Sequence, residues 1–140
     1  MYVYSVVILR PDSAGVTTGN IYPMNEVEKA YNLIKENGVK FKFFESKEDL
    51  NKVEDTPFVE DIIYKDCSLD DNGIRVSFSI KEESEIEKKV NDGKFVAFAC
   101  GEGEVDEDHK ISDYDLKYIT LMPAEDIDTN LVEIEEYKND

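Results

Sequence analysis

The segment Asp71-Asn72-Gly73-Ile74-Arg75-Val76-Ser77-Phe78-Ser79-Ile80 constrains this chain more than any other. Ile74, Val76, Phe78 and Ile80 alternate with polar residues, and side chains along a strand point to opposite faces in turn. The spacing therefore predicts a strand with one buried face. Asn72-Gly73 stands just before it, and Asn-Gly is the strongest short hairpin signal, because a type I′ turn needs positive φ at both central residues. The run Phe58 to Leu69 supplies the first strand of that hairpin. A lone hairpin is barely stable in water, so its apolar face must be covered by other strands or by helices.

The rest of the chain offers those covers. Tyr2 to Leu9 is rich in Val, Ile and Tyr and reads as a buried strand ended by Pro11. Residues 10–23, with Pro11, Gly15, Gly19 and Pro23, read as a loop or an irregular hairpin. A helix follows, with Asn25 as N-cap, Glu28 closing a capping box, and Gly38 as C-cap. Val27, Ala30, Tyr31 and Ile34 form its apolar face. Val39, Phe41 and Phe43 alternate with Lys40 and Lys42 as in a half-buried strand. Residues 45–57 read as a polar loop with one helical turn at 46–52. Ser84 and Glu87 form a second capping box, for a helix with Ile86 and Val90 inward and Gly93 at its end. Phe95 to Cys100 is a strand buried on both faces, and Gly101 to His109 an acidic loop. Ile111 to Met122 holds another strand, clearest over 116–121, and Leu131 to Tyr137 reads as an edge strand or a tail. The expected core is Val3, Val7, Leu9, Val27, Ile34, Phe41, Phe58, Ile62, Val76, Phe78, Val96, Phe98, Leu116 and Ile119. The sum is a mainly β chain with flanking helices (α+β), arranged as a small closed or partly closed β-barrel.

The formal net charge is −17 over 140 residues. Residues 101–140 alone hold 14 acidic against 3 basic residues, a net of −11. Gripping a nucleic-acid backbone needs Lys and Arg to neutralise phosphates, and an anionic membrane repels such a surface. Direct nucleic-acid and membrane partners are therefore not expected, and a basic protein is. No apolar run approaches the length of a membrane span. The apolar N-terminus has its positive charge after the run and no small-residue cleavage site, so it reads as a strand and not as a signal peptide. Cys67 and Cys100 form no CxxC and no zinc pattern with His109, which suits free thiols in a reducing compartment. Glu102, Glu104, Asp106, Glu107 and Asp108 lack the spacing of a calcium loop. Gly101 and Gly103 alone do not make a phosphate loop. No metal or cofactor is expected.

Four stretches in order resemble the phage prohead (head-maturation) serine proteases, especially their XkdF-like branch. Residues 4–12 with Thr18-Gly19-Asn20-Ile21-Tyr22 are similar to that family's opening strand and its "DSQGD-I-Y" loop. Glu26-Val27-Glu28-Lys29-Ala30 is similar to "EEIEKAAH". Residues 86–101, ending Phe98-Ala99-Cys100-Gly101, are similar to "IWEKIKSGEYTGFSIG". Leu116 to Ala124 is similar to "VREISLVDKPA". The resemblance covers most of residues 3–124 and implies an assemblin-like barrel domain over 1–124, followed by an acidic segment over 125–140.

The departures bear on function. The family's serine nucleophile falls on Ala99, which carries no nucleophilic atom. The family's histidine is expected near Lys40 to Phe44, where none exists. Cys100 is one residue further on and so faces the other side of the strand. Loss of nucleophile and base together removes groups that act as a unit. The leading expectation is a phage- or prophage-encoded, catalytically inactive domain in the host cytoplasm. It would bind a capsid or scaffold protein during head assembly. A second is an acidic, nucleic-acid-mimicking inhibitor of a basic host or defence protein, with Glu102, Glu104, Asp106, Glu107 and Asp108 at the interface. A third is a residual peptidase pairing Cys100 with His109. The sequence fixes no oligomeric state.

Overall fold

A computed structural model describes residues 1–12, 19–46, 49, 55–124 and 130–137. The elements in chain order are β1 (Tyr2–Leu9), α1 (Met24–Asn37), β2 (Phe41–Phe43), β3 (Ile62–Asp70), β4 (Gly73–Ile80), α2 (Glu85–Asp92), β5 (Phe95–Val105), β6 (Ile111–Pro123) and β7 (Glu133–Tyr137). The mainly β, α+β character read from the sequence is what the chain adopts. Most of the helical turn expected at 46–52 lies outside the described residues.

The strands form two sheets, ordered β3-β4-β1-β7 and β2-β6-β5. All pairings are antiparallel except β2 with β6. β1 is an inner strand of the first sheet, between β4 and β7, which explains why Val3 to Leu9, Ser5 included, are buried throughout. The main core lies between the sheets. Phe78 of β4 stacks on Tyr4 of β1 at 5.6 Å and meets Phe41 of β2 at 5.2 Å between ring centroids. The Tyr4 hydroxyl donates to Asn91 Oδ1 at 2.6 Å, which ties α2 to the core. Burial, with the Glu87 charge beside it, pushes the Tyr4 hydroxyl up to about 12. On the far side of the three-stranded sheet, Phe44, Val96, Phe98 and Met122 form a second apolar cluster.

Neither sheet closes on itself, so the expected closed barrel is not formed by the ladders. The sheet edges meet instead at two single bridges. Val59, just before β3, bridges Phe41 of β2, and Leu131, just before β7, bridges Val96 of β5. Asn130 and Val132 flank the second seam: Ala97 N–H donates to the Asn130 carbonyl at 3.0 Å and Val132 N–H to the Phe95 carbonyl at 2.9 Å. The chain over 130–137 thus crosses from one sheet to the other, and the run 131–137 is an edge strand and not a tail.

Several local expectations give way to a competing force. α1 starts at Pro23 with no side-chain cap, so the Asn25–Glu28 capping box does not form. Proline's fixed φ turns the chain, and its carbonyl accepts from the Glu26 and Val27 amides at 2.9 and 3.1 Å. Gly38 does end the helix, at φ 70°. At the hairpin, Asp70 pairs with Gly73, leaving Asp71-Asn72 as the loop. Neither has positive φ, so the turn is not type I′. The Asp70 carboxylate instead accepts from the Asn72 amide at 2.8 Å. Gly73 is required for another reason: at φ 119° a Cβ there would collide with the Leu9 carbonyl oxygen of β1.

In α2, Ser84 Oγ accepts from the Glu87 amide at 3.2 Å as expected, but the Glu87 carboxylate reaches back to the Glu83 amide. Gly93 closes α2 in an extended conformation. Of the expected core, Leu116 is half-buried and Phe58 is 45% exposed. Phe58 precedes β3 and lies on the outer side of β2, over lysine side chains.

Candidate functional site

β5 places the two residues on which catalysis would turn. Side chains at 95, 97 and 99 join the main core, and those at 96, 98 and 100 join the second cluster. The Ala99 methyl therefore packs inward, opposite Ile119, while the Cys100 thiol points to the outer face. The ladder slips between Cys100 and Gly101, one residue too late to bring the thiol round.

On that outer face Cys100 Sγ lies 3.1 Å from Thr120 Oγ1. Burial pushes the thiol up, and the Thr120 and Tyr118 hydroxyls and the Lys42 ammonium only partly offset it. Lys42 is 8% exposed, with its ammonium 4.5 Å from the Tyr118 ring centroid and 5.2 Å from that of Phe58. The alternation at 39–43 put Lys42 in solvent. The doubly apolar run of β5 and the adjacent pair Phe43-Phe44 were the signals that this sheet is covered on both faces.

His109 is exposed at the β5–β6 turn, with φ 62°. Its carbonyl accepts from the Ile21 amide at 2.7 Å. Five residues of β5 separate Cys100 from the turn, about 17 Å at strand rise. The structure does not bring Cys100 and His109 together, and His109 is the chain's only histidine. Among the described residues of this strand pair stand a methyl group at the position of the expected nucleophile, a half-buried thiol with a raised pKa, and an imidazole far from both.

The acidic stretch is not the loop its composition suggested. Gly101 to Val105 continue β5 and pair with Ile111 to Leu116 as a ribbon. Gly101 is needed there because a Cβ would strike the Asp115 carbonyl oxygen, and at Gly103 one would lie 2.8 Å from the Ile111 side chain. These two glycines serve close strand approach. Residues 101–110 are all exposed. Glu102 and Glu104 stand on the strand; Asp106, Glu107 and Asp108 form the turn. Asp106 Oδ1 accepts from the Asp108 and Lys110 amides at 2.8 and 2.9 Å, so it holds the turn. Residues 101–117 carry seven carboxylates against two lysines. β5 pairs with β6 on one side, and beyond Cys100 its other edge carries no ladder among the described residues.

One strand of the ribbon is anchored. The Tyr114 amide donates to Glu26 Oε2 at 2.9 Å, and Ile111 N–H donates to the Ile21 carbonyl at 2.8 Å. Glu26, 4% exposed on α1, also pairs with Lys29 at 2.9 Å. Burial pushes its carboxyl up, but Lys29 and the Tyr114 and Asp113 amides outweigh that and hold it below the usual range. Sequence periodicity gave no sign of this buried carboxylate.

Among the described residues no three His, Cys, Asp or Glu side chains come together as metal ligands. No helix there is long and apolar enough to cross a membrane. In comparisons with known proteins the chain matches no family model, no curated protein and no solved structure.

Proposed function

We propose that this chain is a non-catalytic protein-binding domain that docks a basic, extended stretch of a partner along the outer edge of β5. The observation that carries this reading is the strand edge beyond Cys100, unladdered among the described residues, flanked by carboxylates and backed by β6, which is hydrogen-bonded in turn to α1 and Ile21. An open edge supplies backbone donors and acceptors for a further strand. The carboxylates select a basic one and hasten its approach.

The resemblance to prohead proteases fits here as ancestry. The two sheets bridged at both seams are read as a partly closed, assemblin-like barrel, and Ala99 as the position of a lost nucleophile. On that reading the partner is a capsid or scaffold protein, met in the host cytoplasm during head assembly. Mimicry of nucleic acid toward a basic host protein uses the same carboxylates and differs in its competitor.

Carboxylates on an open edge also guard against strand-to-strand aggregation, and the test separates the two roles. Purified chain is titrated with the capsid and scaffold proteins encoded alongside it, with intact mass checked for cleavage. Binding without cleavage is expected, and Glu102→Gln with Glu104→Gln should weaken it about tenfold. Aggregation of that double variant with unchanged affinity would leave only the guarding role. Displacement of the partner by DNA or RNA would favour mimicry, and cleavage would restore a peptidase.

A further inference from the structure

A second site stands apart from the acidic ribbon. A cleft of about 500 Å³ lies between the C-terminal end of α1, the start of β3 and the slipped part of β6. Its lining is Asn37, Gly38, Val39, Lys40, Phe58, Tyr64 and Lys117. In a chain with 33 acidic residues against 16 basic ones, no described carboxylate lines it. Two other clefts of similar size each hold two: Glu36 and Asp113 in one, Glu45 and Asp92 in the other.

The cations are placed by the backbone. Lys117 is the extra residue where β6 slips against β5, between the partners of Gly101 and Cys100. Lys40, just before β2, and Lys42, within it, both sit against the exposed ring of Phe58, at 5.3 and 5.2 Å from its centroid. Tyr64 forms a second aromatic wall beside Gly38. Lys40 makes no ion pair among the described residues, and Lys117 is held by Asp115 at 2.6 Å.

We infer that this cleft binds a small planar aromatic molecule carrying one phosphate or carboxylate group, its ring against Phe58 and Tyr64 and its anion between Lys40 and Lys117. The volume suits a ligand of that size. The negative end of the α1 dipole, at Asn37, sets the orientation, since it repels an anion and tolerates a neutral ring. Nucleotides and aromatic acids share this chemistry.

Amide shifts in an NMR titration test it, with adenosine monophosphate and naphthoate as the two anionic arms and adenosine and inorganic phosphate as controls. At least one anionic arm should shift Lys40, Tyr64 and Lys117 and bind about tenfold more tightly than either control. Lys40→Gln and Phe58→Ala, both at exposed positions, should each weaken it several-fold. Asp115→Asn frees the Lys117 ammonium and should tighten binding about two- to five-fold, an effect that a merely structural role for Lys117 would not produce. No shift with either anion at about 10 mM, equal binding of adenosine and its monophosphate, or indifference to Lys40→Gln overturns the inference.

Discussion

Glu26 shows how one side chain can settle where a ribbon sits. Its carboxylate takes the Tyr114 amide of β6 and the Lys29 ammonium of its own helix while almost wholly buried. Because its folded pKa lies below the ordinary 4.5, its contribution is fully present above that pH and is lost as pH falls through the folded value. Glu26→Gln should therefore be less stable than the parent near neutrality. The gap should close on acidification below about pH 4.5, as read from denaturant midpoints across pH. A constant gap would mean that the residue matters by shape alone. Such positions were not legible in the sequence: Glu26 and Lys42 look like solvent residues until the elements that cover them are known. Ala99 was legible, because strand parity alone decides that it and Cys100 face opposite ways.

At the scale of elements, the ribbon of β5 and β6 taught most. Read as sequence, β5 stopped at Cys100, since Gly101, Gly103 and a row of acids are what loops are made of. The strand persists because its partner pins it and because glycine lets the two backbones cross closely at the slip. Gly101→Ala should accordingly cost about 1–3 kcal/mol by overpacking against the Asp115 carbonyl, measured as a lowered denaturant midpoint, with faster amide exchange over 101–117. Retention of parental stability would mean that the strands separate at little expense. Elements carried by periodicity, such as β4 and the buried face of α1, were legible throughout. Caps and turns were less so, because Pro23 and the Asp70 side chain supplied solutions that outcompeted the expected ones.

For the whole molecule, charge and connectivity matter most. A net charge of −17 on one small domain is self-repelling, and salt screens it. Raising ionic strength should raise the melting temperature while weakening capture of a basic partner. A melting temperature that falls with salt would indicate that specific ion pairs outweigh the general repulsion. The order of strands along the chain could be read from the sequence, but their division into two sheets could not. That division rests on pairings between distant segments, such as β1 with β7 and β2 with β6, which leave no local trace.

The crossing of residues 130–137 between the sheets has a consequence for how the molecule is made. Asn130 reaches the Ile8 carbonyl, Leu131 bridges β5, and the following strand lies along β1, so a stretch made after every other described element is the clasp that fastens both halves. Until it emerges, β1 has an uncovered side, and a nascent chain waiting in that condition is open to strangers.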